Sequence, residues 1–187
     1  MTGEASSIYT KTGDDGTTGR LFGGRVGKDD AVMEACGDID EAVAALGVAR
    51  EALESPEMAG LVLRLQRHLF VVAADLMTNP RARDRLTEGV SEVGAGMVDQ
   101  VERTIDRLVT ERPLRPVFIV PGETRASAAL DLARTVARRA ERHTIRAARE
   151  GAAVSDHVLV YLNRLSDLLY VLARHAAGDS EETPSHD

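Results

Sequence analysis

Residues 133–150, ARTVARRAERHTIRAARE, hold the side chains best spaced for chemistry. The segment has no glycine or proline, so it reads as the middle of a long helix. On that helix Arg134, Arg138 and Glu141 fall at i, i+4 and i+7 along one edge. The line is about 10 Å long at a rise of ~1.5 Å per residue, comparable with an extended triphosphate. Ala133, Val136, Ala137, Ala140 and Thr144 make the adjoining small apolar side, and Arg139, Arg142, Arg146 and Arg149 point further round. The same spacing also describes ordinary charge pairing on a solvated helix face.

A second candidate lies at the front of the chain. Residues 8–30, IYTKTGDDGTTGRLFGGRVGKDD, contain six glycines and many hydroxyls and cannot form a helix. After a short extended piece at Ile8–Thr10 the segment reads as loop. Gly13, Gly16 and Gly19 permit positive φ and close backbone approach to a ligand. Thr10, Lys11, Thr12, Thr17 and Thr18 add hydroxyl and ammonium donors suited to phosphate. The loop lacks the Gly-x-x-x-x-Gly-Lys-Ser/Thr pattern, and an ordinary glycine-rich surface loop has a similar composition. So long a lead with so few apolar anchors is nevertheless uncommon without a function.

The elements that must position these groups are helices. Segments 30–54, 56–78, 91–111, 124–150 and 155–177 carry helical periodicity, which predicts an all-α, five-helix bundle with a Gly-rich N-terminal loop. Asp29 or Asp30 caps the first helix, whose stripe is Val32, Ala35, Cys36, Ile39, Val43 and Leu46, with Asp40 at its edge. The second begins at Ser55-Pro56 and is apolar nearly all round at Leu69–Ala74; His68 within it reads as a satisfied core or interface histidine. Residues 79–90 read as a mobile polar loop, Ser91 as the cap of the third helix, and 113–123 as a proline-broken stretch with a short extended piece at Val117–Val120. The fifth helix carries its own polar line, Asn163, Asp167, Tyr170 and Arg174. Residues 1–7 read as flexible, 8–177 as one domain, and 178–187 as a disordered acidic tail.

Composition narrows the function classes. Aromatic residues make up only 3% of the 187 and there is no Trp, so the core must be aliphatic and alanine-rich. A net charge of −7 argues against a nucleic-acid partner despite the local arginines. The single Cys36 excludes an internal disulfide and any multi-cysteine metal site. The longest apolar run, 69–74, is too short to span a bilayer, and the start does not resemble a signal peptide. A cytoplasmic protein without a membrane partner is expected.

Three separated stretches together resemble one family. TKTGDDGTTG with LFGGRV-x-KDD, then FIVPGE with ARTVARRAER, then LNRLSDLLYVLAR are similar in order and spacing to the PduO-type ATP:cob(I)alamin adenosyltransferases, over about Ile8 to Arg174. The resemblance implies a helical bundle assembled as a homotrimer with active sites at subunit interfaces, using ATP, Mg2+ and cobalamin. It implies that Thr10, Lys11, Thr12, Gly13, Asp14, Gly16 and Lys28 surround the nucleotide, together with Arg138, Glu141 and Asn163. Glu141 falls in the metal region, whether or not it ligates Mg2+ directly. Asp40 and Arg134 match a pair that bridges two subunits beside the cobalamin, and Phe118 matches an apolar residue that keeps a lower ligand off cobalt. The chain departs from the family pattern at Cys36-Gly37 (commonly Tyr-Gly), at Ala42-Val43 (commonly Leu-Asn) and at Glu123 (commonly Gly).

The chemistry so implied suits these residues. Cobalt(I) is a strong nucleophile, so attack on the ribose C5′ needs no general base, and none is evident. The protein must position two reactants and neutralise a departing triphosphate. A carrier that only delivers cobalamin to a mutase would have lost the phosphate site, whereas Lys11, Lys28 and Arg138 are present. An all-α pyrophosphatase would need paired Glu-x-x-Glu helices, which the sequence lacks. A reductase and an adenosylcobalamin-dependent mutase are the further partners implied.

Overall fold

A computed structural model describes residues 9–184. The expectations for residues 1–7, for Ile8 and for the last three tail residues lie outside the described residues. Five helices follow one another: α1 (Ala31–Ala52), α2 (Pro56–Met77), α3 (Ala95–Glu111), α4 (Arg125–Arg149) and α5 (Asp156–Ala177). The expected five-helix bundle is therefore observed. Around it the neighbours run α2, α1, α4, α5, α3.

Local chemistry sets most helix ends. The Asp30 carboxylate accepts from Val32 N at 2.9 Å and starts α1. Ser55 caps α2 in front of Pro56, and Thr124 with Ser127 forms a reciprocal capping box on α4. Gly178 ends α5 at φ 66°, a backbone that a side chain would strain. Ala35, Ala42 and Ala49 on α1, with Ala133, Ala137, Ala140 and Ala147 on α4, are all buried, and such small side chains let helix axes approach closely. Leu130, Leu162, Leu165, Leu169 and Leu172 fill the core around Tyr161. Truncating one of these leucines to alanine should cost about 2–5 kcal/mol.

Four local expectations are corrected. Part of the N-terminal loop is a short antiparallel hairpin, β1 (Thr17–Gly19) with β2 (Arg25–Gly27), Thr18 standing opposite Val26. Residues 79–90 are not a free polar loop. They contain a 3-10 turn, Pro80–Arg85, whose Arg83 reaches the carboxylate of buried Asp75 at 2.8 Å, the Ser155 hydroxyl and the Ala153 carbonyl. Helix α3 starts at Ala95 behind Gly94, because Val93 N is committed to Asp75 at 3.1 Å and Ser91 instead accepts from Thr87 N. The described part of the acidic tail is packed: Asp179 meets Arg112 at 3.2 Å, and Glu182 bridges to Val120.

Candidate active site

Helices α3, α4 and α5 enclose a groove of about 700 Å³. Arg134 and Arg138 enter it from α4, Asp167 and Tyr170 from α5, and Glu102 and Ile105 from α3. The Nε of Arg134 donates to Asp131 at 3.2 Å, and its guanidinium lies 5.9 Å from the Tyr170 ring centre. That leaves its two terminal nitrogens without a hydrogen bond among the described residues. Arg138 is exposed, and its side chain has no ion-pair partner among the described residues. Less than a turn further, Asn163 Nδ2 donates to Glu141 Oε1 at 3.1 Å, while Asn163 Oδ1 accepts from Arg164, itself paired with Glu102 at 2.7 Å. Sequence spacing thus brought Arg134 and Arg138 to one groove and Glu141 with Asn163 beside it.

The N-terminal loop forms a second cluster at another part of the fold. Its base is tied to the end of α2, where Leu21 N donates to Met77 O and Asn79 N donates to Leu21 O. Lys28 Nζ donates to the Gly13 carbonyl at 2.8 Å, and Lys28 N to the Gly16 carbonyl. The Thr10 and Thr12 hydroxyls lie 2.8 Å apart, and Arg25 bonds Thr17 and the Thr12 carbonyl. Gly16 takes φ +81°; Gly13 instead owes its identity to space, since a Cβ there would sit 3.0 Å from Thr17 O and 3.2 Å from Lys28 Nζ. Lys11 and Asp14 are exposed on the same loop. No hydrogen bond or ion pair joins this cluster to the groove of Arg138 among the described residues.

Two further candidates face outward. Asp40 is exposed on α1 and has no side-chain partner among the described residues. Phe118 is 86% exposed on the proline-rich connection to α4, with Val117 and Val120 partly exposed beside it.

Sequence reasoning missed the ladder that holds α1 on α4. Asp38 accepts from Arg139 Nε at 2.9 Å and meets His143; Glu41 meets Arg139, and Glu34 meets Arg146. The two carboxylates hold the Arg139 guanidinium's pKa above its ordinary value. A signal was present: Glu34, Asp38 and Glu41 stand at i, i+4 and i+7, and so do Arg139, His143 and Arg146, so two antiparallel helices can zip them together. Cys36 has no comparable role, since burial pushes its thiol up to about 12 and keeps it protonated.

Residues 8–176 match the family described as Cobalamin adenosyltransferase. A corrinoid adenosyltransferase of Citrobacter freundii is 37% identical over 167 residues, covering 89% of this chain and 93% of that protein. One from Mycobacterium tuberculosis is 40% identical over 183 residues, covering 93% and 90%. A phenylalanine-to-alanine variant of the PduO-type ATP:corrinoid adenosyltransferase from Lactobacillus reuteri, solved with cobalamin and ATP, superposes with a TM-score of 0.83 at 28% identity over 97% of this chain and all of that one. An arginine-to-lysine variant solved with ATP gives 0.79 at 30% identity, over 91% and 94%.

Proposed function

The chain belongs to the cobalamin adenosyltransferase family and is an ATP:corrinoid adenosyltransferase, and we propose that Arg138 and the N-terminal loop are the two halves of its triphosphate site. The substrates are ATP and cob(I)alamin, and the product is adenosylcobalamin. The electron pair of cobalt(I) becomes the cobalt–carbon bond while the C5′–O bond breaks, and triphosphate leaves with the electrons of that C5′–O bond. No proton needs to move. The residues therefore contribute position and positive charge.

Arg138 offers paired N–H donors to the leaving triphosphate, with Arg134 one turn away. In the loop Lys28 exchanges the Gly13 carbonyl for a phosphate oxygen, while Lys11, Thr10, Thr12 and the backbone of Gly13 to Gly16 close around the rest. Asp14 belongs to the same wrap. Asn163 occupies one oxygen of Glu141 at 3.1 Å, and the other has no hydrogen bond among the described residues. One carboxylate together with substrate phosphates is an ordinary donor set for Mg2+, so Glu141 is the residue that would hold it. The ion would supply further neutralisation of the triphosphate.

Several observations support a site shared between copies of the chain. Among the described residues no hydrogen bond or ion pair joins loop to groove, Asp40 lacks a side-chain partner, and Arg134 keeps two terminal nitrogens free. A homotrimer in which Asp40 of one copy meets Arg134 of the next would use all three. Phe118, exposed on its loop, would face the corrin and displace the lower axial ligand, which makes cobalt(II) easier to reduce. A reductase would supply the electron and a dependent mutase would receive the product. The cytoplasm, where ATP and low-potential reductants are available, is the setting that suits this chemistry.

The observation that carries the reading is an Arg138 with no ion-pair partner among the described residues, set in an open groove inside a segment that matches the family from residue 8 to 176. The test is an anaerobic assay with MgATP and chemically reduced cobalamin, following the cobalt–carbon bond by its absorbance. Formation of adenosylcobalamin is expected; a folded chain that forms none would overturn the reading.

A further inference from the structure

The acidic segment that follows α5 is not loose. Arg115 donates to the Glu181 carbonyl at 3.0 Å, Val120 N to the Glu182 carbonyl at 2.9 Å, and Glu182 N to the Glu123 carboxylate at 2.8 Å. These bonds turn the Glu181 side chain inward, where it is 4% exposed. Its carboxylate lies 3.9 Å from the Nε of Arg174, also 4% exposed, and that Nε has no hydrogen-bond partner among the described residues. A terminal nitrogen of Arg174 bonds one oxygen of buried Asp131, whose other oxygen accepts from Arg134 Nε at 3.2 Å. Tyr170 lies between the two guanidiniums, with ring-centre distances of 5.2 Å to Arg174 and 5.9 Å to Arg134.

Charge therefore alternates from the tail to the groove: Glu181, Arg174, Asp131, Arg134. Two arginines share a single Asp131 carboxylate, and Glu181 brings the group to neutrality. Without it, buried Arg174 would be under-compensated and would draw on both oxygens of Asp131, at the expense of Arg134. We propose that Glu181 is a positioning residue for adenosyl transfer, acting through Arg174 and Asp131 to fix the guanidinium of Arg134 in the groove. The same segment bonds Val120, two residues beyond Phe118, so it also fastens the connection that carries that ring. The inference rests on the functional reading of Arg134 given above.

Two measurements test it on the full-length protein. Glu181→Gln preserves the shape and backbone bonds of the tail but removes the charge. It should lower adenosyl transfer roughly 5-fold, and add nothing when Arg134 is already alanine, because both changes act on one path. Asp179→Asn, at an exposed pair with Arg112, should leave turnover unchanged. Independently of turnover, the Nε–Hε resonance of Arg134 in arginine-labelled protein should shift in Glu181→Gln and stay in place in Asp179→Asn. An unmoved Arg134 resonance, or losses from Glu181→Gln and Arg134→Ala that multiply, would overturn the relay. An inactive parent enzyme would instead count against the activity, with the resonance still reporting on the relay.

Discussion

Arg138 and Arg139 are adjacent in sequence, yet Arg139 is held by Asp38 at 2.9 Å and by Glu41, whereas Arg138 opens onto the groove with no charged partner among the described residues. A rotation of one residue, about 100° around α4, separates an arginine tied to α1 from the one proposed to act on the triphosphate. Arg138→Lys should keep the fold and lose adenosyl transfer by ~100-fold or more, since an ammonium cannot reproduce paired guanidinium donors. Arg139→Ala should do the reverse, lowering Tm while transfer by the remaining folded enzyme persists. Thermal melts and single-turnover rates on both variants decide the assignment; equal loss of rate in both would refute it.

The helices were legible because apolar periodicity is local. Of the α1 stripe, Val32, Ala35, Ile39 and Leu46 are buried, and Cys36 and Val43 pack partly buried beside them. His68, read as a satisfied histidine, lies 3.1 Å from the hydroxyl of buried Tyr161. What failed depended on partners far along the chain. Ser91 resembles a helix cap, but Asp75 takes the N–H of Val93, 18 residues further along the chain, and delays α3. The tail reads as disordered because its acids repel one another in sequence, and only the fold brings Arg112, Arg115 and Arg174 to it. In the site, the spacing of Arg134, Arg138 and Glu141 was visible, but the Asp131 carboxylate shared with Arg174 required α4 and α5 to be packed first.

The separation of loop and groove within one chain gives a complementation test. Lys28→Ala should disable the proposed loop half of the site and Arg138→Lys the groove half, so each homogeneous preparation should be nearly inactive. Mixed oligomers formed by co-refolding should regain part of the activity, because some sites would pair an intact loop with an intact groove from another copy. Activity of the mixture equal to the sum of the two parents would show that each site lies within a single chain. Sedimentation of the same samples reports the expected trimer.

Stability should also carry a histidine signature. Burial, with Arg64 nearby, lowers the pKa of His68 below its ordinary 6.5. The folded state thus takes up this proton less readily than the unfolded state. Stability associated with neutral His68 is fully present above the unfolded value and falls as pH drops below it, until the folded group also titrates. His68→Asn keeps a polar partner for Tyr161 but cannot titrate. Its Tm should fall less than that of the parent between about pH 7.5 and about pH 5; parallel curves would show that His68 contributes nothing to the pH dependence.

Phe118 offers the sharpest separation of roles. Its ring is 86% exposed and far too open to be core, so Phe118→Ala should leave Tm and ATP binding nearly unchanged. Its loss should act on the corrin: the lower ligand stays on cobalt(II), and reduction by a mild donor fails. Cobalt(I) made beforehand with a strong chemical reductant bypasses that step. Such treatment should restore much of the activity of Phe118→Ala and little of Arg138→Lys, because the second variant lacks charge stabilisation in the transfer itself. The two rates, measured with mild and with strong reductant, form a two-by-two comparison. Equal rescue of both variants, or of neither, would mean that reduction and transfer are not divided between Phe118 and Arg138.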